Sequence, residues 1–138
     1  MKTLYQTTVS ATGGRDGHVK SKDGLLDLDV LVPKELGGKG GATNPEQLFA
    51  AGYAACFDSA LNLIMSQAKV KPESPSIVNA TIGIGKKDDG GYGLAAKLSV
   101  EIPGIEKEKA QELVEQAHQV CPYSNATRGN VEVELEVV

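Results

Sequence analysis

Two residues in this chain can do chemistry that no other type present can do as readily, the cysteines at 56 and 121. A thiol can be a nucleophile, a metal ligand or half of a disulfide, and as nucleophile or ligand it reacts as the thiolate. Spacing narrows the choice. The two lie far apart with no CxxC, which argues against a thioredoxin-like oxidoreductase. His18, Cys56, His118 and Cys121 have the side chains of a Cys₂His₂ metal site, but zinc sites show two close ligand pairs, and here only His118 and Cys121 are close. The pattern does not select a metal. In a reducing compartment the cysteines read as free thiols or a reversible redox pair rather than a permanent staple.

Their surroundings differ. Cys56 lies in AAGYAACFDSAL (50–61), an uninterrupted helical stretch in which a small apolar thiol suits core packing. Cys121 immediately precedes Pro122, which biases its backbone away from the helical region and frees it from the packed turn. His118, one turn earlier, suits the end of a helix, where a partial positive charge favours the macrodipole. His18 reads as a surface strand position. GGKGGATNP (37–45) has the composition of a phosphate-binding loop, yet Lys39 is followed by glycine and no GxGxxG follows a strand. It reads as a flexible lead into a capped helix.

The elements that hold these residues follow from periodicity. TLYQTTVSA has strand composition, and LLDLDVLV places Leu26, Leu28, Val30 and Val32 on one face with Asp27 and Asp29 opposite. Between them GGRDG is a turn that displays Arg15. A helix is expected from about Pro45 to Ala68, with Asn44 as N-cap, Pro45 at the first helical position and Gln47 completing a capping box. After the loop KPESPS comes a hairpin turning at DDGG, whose second strand puts Leu94, Ala96, Leu98, Val100 and Ile102 on one face. Ile105, Ala110, Leu113, Val114, Ala117 and Val120 then recur at helical spacing up to Pro122. VEVELEVV alternates Val131, Val133, Leu135 and Val137 inward with glutamates outward. Without repeats or linkers, this is one α/β domain spanning 1–138.

Bulk properties agree. The chain has 138 residues, 41% hydrophobic and 23% charged, which describes a globular protein able to bury an ordinary core. A net charge of −4 argues against nucleic acid or an acidic membrane as partner and leaves small neutral substrates open. MKTLYQTTVSATGGRDG lacks the apolar core of a signal peptide, so a cytoplasmic location is expected. No run approaches the roughly 20 apolar residues of a membrane span.

GKGGATNPEQLFAAGYAACFDSAL (starting at Gly38) and CPYSNATRGN (121–130) closely resemble the two cysteine motifs of the organic hydroperoxide resistance family, within the osmotically inducible protein C group. The similarity covers essentially the whole chain. It implies an α+β fold, an intertwined homodimer whose antiparallel-rich sheets wrap around central cysteine-bearing helices, with active sites at the interface. It also implies a thiol-dependent peroxidase acting on alkyl or fatty-acid hydroperoxides. Cys56 matches the peroxidatic cysteine, Cys121 the resolving cysteine, and Arg15 and Glu46 the pair that supports the thiolate. The resemblance further implies re-reduction by a lipoyl dithiol, as dihydrolipoamide or a lipoylated protein, with no bound cofactor.

Thiol chemistry accommodates those roles. A free cysteine with pKa near 8.5 is only a few per cent ionised at neutral pH. Cys56 lies about twelve residues, on the order of 18 Å, beyond Asn44, and a helix dipole acts only within the first turn. A cation is the remaining stabiliser, and the rigid, permanently charged fork of Arg15 can face a thiolate and a carboxylate together. Glu46 and Cys56 are about 15 Å apart along a straight helix, so both reach one arginine only if the helix bends near Gly52 or if they come from different subunits. The second is expected. Taken singly, Arg15 reads as a solvated turn residue and Glu46 as a first-turn carboxylate. Phe49, Phe57 and Tyr123 are candidates to line an apolar pocket or to join the core. No flavin, nicotinamide or haem motif is present, so electrons arrive from an external dithiol. The alternatives are a redox-sensing or stress-response dimeric binding protein of the same fold, and a structural disulfide protein.

Overall fold

The computed structural model describes residues 1–138. The chain forms two compact units, Met1–Leu48 and Phe49–Val138, and the boundary falls inside the first long helix.

In the first unit, β1 (Val9–Thr12), β2 (Gly17–Ser21) and β3 (Asp27–Val30) form an antiparallel sheet in that order, with Thr12 opposite His18 and Val19 opposite Leu28. Glycine closes its first turn: Gly13 adopts φ 79°, and a Cβ at Gly17 would lie 1.7 Å from the Thr12 carbonyl oxygen. Arg15 sits at the tip of that turn. The expected strand from Thr3 begins only at Val9, because the preceding residues have no strand to pair with and Leu4 and Tyr5 stay exposed. On β3 the apolar alternation is only partly realised, with Val30 buried and Leu28 exposed. The glycine loop is a folded turn rather than a loose lead: the Gly38 N–H donates to the Pro33 carbonyl and the Gly40 N–H to that of Val32, each at 3.0 Å.

Helix α1 (Pro45–Gln67) starts where the sequence places it. The Asn44 side chain accepts the Gln47 N–H at 2.9 Å, but the box stays half made, because the Gln47 side-chain Oε1 accepts from the Thr43 hydroxyl at 2.8 Å instead.

The second unit builds a sheet from β4 (Ile77–Lys86), β5 (Tyr92–Glu101) and β6 (Val133–Val137), with β5 antiparallel to β4 and parallel to β6. A parallel pair needs a crossover, and α2 (Lys107–Val120) with α3 (Pro122–Thr127) provides it. Ala96, Leu98 and Val100 on β5, with Ile102 just past its end, meet Ala110, Leu113, Val114 and Ala117 on α2, and Tyr53, Phe57, Ala60, Leu61, Ile64 and Met65 on α1 complete the core. Each fully buried valine, leucine or phenylalanine among them contributes about 1.5–3 kcal/mol. Val120 is the exception to the expected α2 stripe and is exposed, at the helix end where Pro122 turns the chain.

At 23 residues α1 is long and apolar enough to cross a membrane by length and composition, contrary to the expectation that no run approaches that size. One face of it is instead taken up by the core just described.

Candidate functional site

The site in the second unit is built by a helix break. Cys121 ends α2 and caps α3, with ψ 123° in the extended region and its N–H donating to the Ala117 carbonyl at 2.9 Å. Pro122 takes the first position of α3, where the missing N–H costs nothing. The break turns Cys121 inward to full burial, and its Sγ lies 3.7 Å from the Sγ of half-buried Cys56 on α1. A disulfide needs about 2.05 Å, so both are free thiols poised to join.

Gly52, one turn before Cys56, makes room for this arrangement. A Cβ there would lie 3.0 Å from the Tyr123 hydroxyl, so the ring sits against bare helix backbone. Burial pushes the Cys56 thiol above its ordinary pKa, and Cys121 adds to that rise. The Tyr123 backbone N–H, hydrogen-bonded to the sulfur, pulls it down. None of these influences is a cation.

Behind the sulfurs lies a buried polar cluster that sequence reasoning missed. The Ser124 hydroxyl is 2.9 Å from the Tyr53 hydroxyl and 2.8 Å from His118 Nδ1, and Thr127 Oγ1 is 3.3 Å from the same tyrosine oxygen. His118 sits in the last turn of α2 as expected, but burial, then the nearby Arg128, hold its pKa below the usual histidine value, which works against a positive charge there. Arg128 takes the terminal role, donating from Nη2 to the His118 carbonyl at 2.6 Å. The one available signal was that Tyr53 and Ser124 both fall within the quoted motifs.

A cavity of about 340 Å³ is lined by Phe49, Leu94, Tyr123, Ala126, Thr127, Asn130 and Val131. Of the three aromatic candidates, Phe49 and Tyr123 line it while Phe57 is wholly core.

Arg15 and Glu46 are brought together within the first unit. Nη1 and Nη2 of Arg15 donate to the two Glu46 oxygens at 2.8 and 2.7 Å, a bidentate pair made in a single chain. The arginine holds the Glu46 carboxyl below its usual value, and the carboxylate raises Arg15 in turn. On β2, His18 is the surface strand residue expected, its Nδ1 on Asp29 at 2.7 Å and its Nε2 on Asp27. Nowhere do three or more His, Cys, Asp or Glu side chains gather in a way that could hold a metal ion.

The OsmC-like protein family matches residues 38–136. The organic hydroperoxide resistance protein of Xanthomonas axonopodis pv. citri is 50% identical over 135 residues, covering 97% of this chain and 94% of that protein. A solved organic hydroperoxide resistance protein from Elizabethkingia anophelis is 58% identical with a TM-score of 0.94, covering 99% of this chain and 98% of that one. The organic hydroperoxide resistance protein OhrB of Bacillus subtilis is 45% identical with a TM-score of 0.89, covering 99% of this chain and 100% of that one. The mixed α+β fold with its two small sheets is the fold of those proteins. On full-length identity and fold alike, the chain belongs to the organic hydroperoxide resistance family of OsmC-like proteins.

Proposed function

We propose that this protein protects against organic hydroperoxides by reducing them to alcohols with its two cysteines. The observation that carries this reading is the pair of free thiols on separate helices, 3.7 Å apart. Cys56 as thiolate attacks the distal peroxide oxygen. The O–O bond breaks, the alkoxide takes a proton and leaves as the alcohol, and Cys56 becomes a sulfenic acid. Cys121 then attacks the sulfenic sulfur, the S–O bond breaks, an S–S bond forms and water leaves. An external dithiol of the lipoyl type restores both thiols by exchange. The name shared by the relatives supports the substrate class, and the cavity beside Tyr123 suits an apolar substituent.

Arg15 supplies the positive charge that burial, Cys121 and the Tyr123 N–H do not, and Glu46 orients its fork. Both act in a homodimer in which the arginine is contributed across the subunit boundary. The test is consumption of an alkyl hydroperoxide with dihydrolipoamide as reductant. Sustained turnover is expected for wild type, none for Cys56→Ser, and impaired turnover with overoxidation for Cys121→Ser. Consumption that stops at one equivalent in the wild type would favour a redox sensor instead.

A further inference from the structure

The proposed cycle makes no use of the buried cluster around Ser124. That hydroxyl is wholly buried between Tyr53 and His118, at 2.9 and 2.8 Å. Each partner lies one helical turn before a cysteine, Tyr53 before Cys56 on α1 and His118 before Cys121 on α2. Ser124 itself is on α3, just past Cys121. One hydroxyl thus ties together the helices on which the thiol pair depends. The Thr127 hydroxyl donates to the Ser124 carbonyl at 3.1 Å, and no buried side-chain polar atom lacks a partner. Apolar attraction is non-directional, whereas a buried hydroxyl held by two partners fixes the orientation of the helices that carry them.

Position matters most in the second step. The sulfenic acid on Cys56 faces two fates. Cys121 attacks it, expelling the oxygen as water with the Cys121 proton; the sulfenic sulfur is reduced and the Cys121 sulfur oxidised as the S–S bond forms. Alternatively a second hydroperoxide transfers its distal oxygen to the same sulfur, leaving an alcohol and a sulfinic acid that a dithiol cannot reverse. The partition depends on how much of the time Cys121 stays within reach. Resting on the two-cysteine reading above, we propose that Ser124, clamped between Tyr53 and His118, is a positioning residue that holds Cys121 beside Cys56, so that the sulfenic acid closes to a disulfide before it is overoxidised.

The experiment exposes wild type, Tyr53→Phe and Ser124→Ala to rising cumene hydroperoxide without reductant. Intact-protein mass reads disulfide against sulfinic acid, and melting temperature is measured alongside. Both variants should reach half-maximal sulfinic acid at about tenfold lower hydroperoxide than wild type. The partition begins after Cys56 has already reacted, so a slower first step or a lower melting temperature alone does not move it. Tyr53→Phe keeps the ring that packs edge-on to Phe49 and tilted against Tyr123, and it decides the matter if Ser124→Ala does not fold. An unchanged partition in Tyr53→Phe, with wild type forming the disulfide, overturns the positioning role alone. A wild type that forms no disulfide at any dose overturns the two-cysteine reading and this role together.

Discussion

Burial works against Cys56. A thiol with a raised pKa holds less thiolate at neutral pH than a free cysteine, and the Tyr123 N–H offsets only part of that. The proposed cation should therefore be felt directly in the rate. Glu46→Gln leaves the Arg15 fork with a weaker partner, and oxidation of Cys56 by an alkyl hydroperoxide, followed by stopped-flow thiol loss, should slow about tenfold. The urea midpoint should fall only modestly, because solvent screens the pair at the Arg15 end, 38% exposed, although Glu46 is 14% exposed and the contact is bidentate. The sign with pH follows from the lowered Glu46 carboxyl: the pair is complete above about pH 4.3, the ordinary glutamate value, and is lost as pH falls through the lowered one. Cys56, Glu46 and Cys121 could be singled out because they fall in the two quoted motifs, and Arg15 only through the resemblance; folding puts the two sulfurs 3.7 Å apart and Arg15 on Glu46. Tyr53 and Ser124 were not singled out, since a tyrosine and a serine 71 positions apart have ordinary roles almost anywhere until folding puts 2.9 Å between them.

At the scale of elements, long periodic segments read true. The α1 helix and the β4–β5 hairpin form where expected, and β5, the α2 stripe apart from Val120 and the β6 alternation turn the faces their spacing predicts onto one core. Short elements did not. Strand composition from Thr3 onward forms no strand until Val9, and nothing in CPYSNA announced that the chain resumes as α3 once Pro122 has broken α2. The Gln47 side chain had two hydroxyl and amide partners within reach, and local sequence does not choose between them. Two stability outcomes follow. Asn44→Ala removes the acceptor for the Gln47 N–H and should cost about 1 kcal/mol in urea unfolding. Leu98→Ala empties a fully buried site on the central strand and should cost about 2–5 kcal/mol by the same measurement.

For the whole molecule, pH and redox state should both move stability. The Asp29 and Asp27 carboxylates raise the pKa of His18, so its contribution is full below about pH 6.5, the ordinary histidine value, and is lost as pH rises through the raised one. The gap in urea midpoint between wild type and His18→Gln should accordingly shrink from pH 6 to pH 9; a gap that widens contradicts the assignment. The proposed homodimer should sediment at twice the 14.5 kDa of the chain, a property implied here only by resemblance. Joining residues 65 positions apart should make the oxidised form more stable than the reduced by up to about 4 kcal/mol, less whatever strain closing the sulfurs introduces. That bond is also the most direct test of the account. One equivalent of an alkyl hydroperoxide, followed by alkylation and non-reducing peptide mapping, should yield a Cys56–Cys121 disulfide within a chain that still migrates as a monomer under denaturing conditions. Two free thiols, or a Cys56 joined to any sulfur other than Cys121, would contradict it.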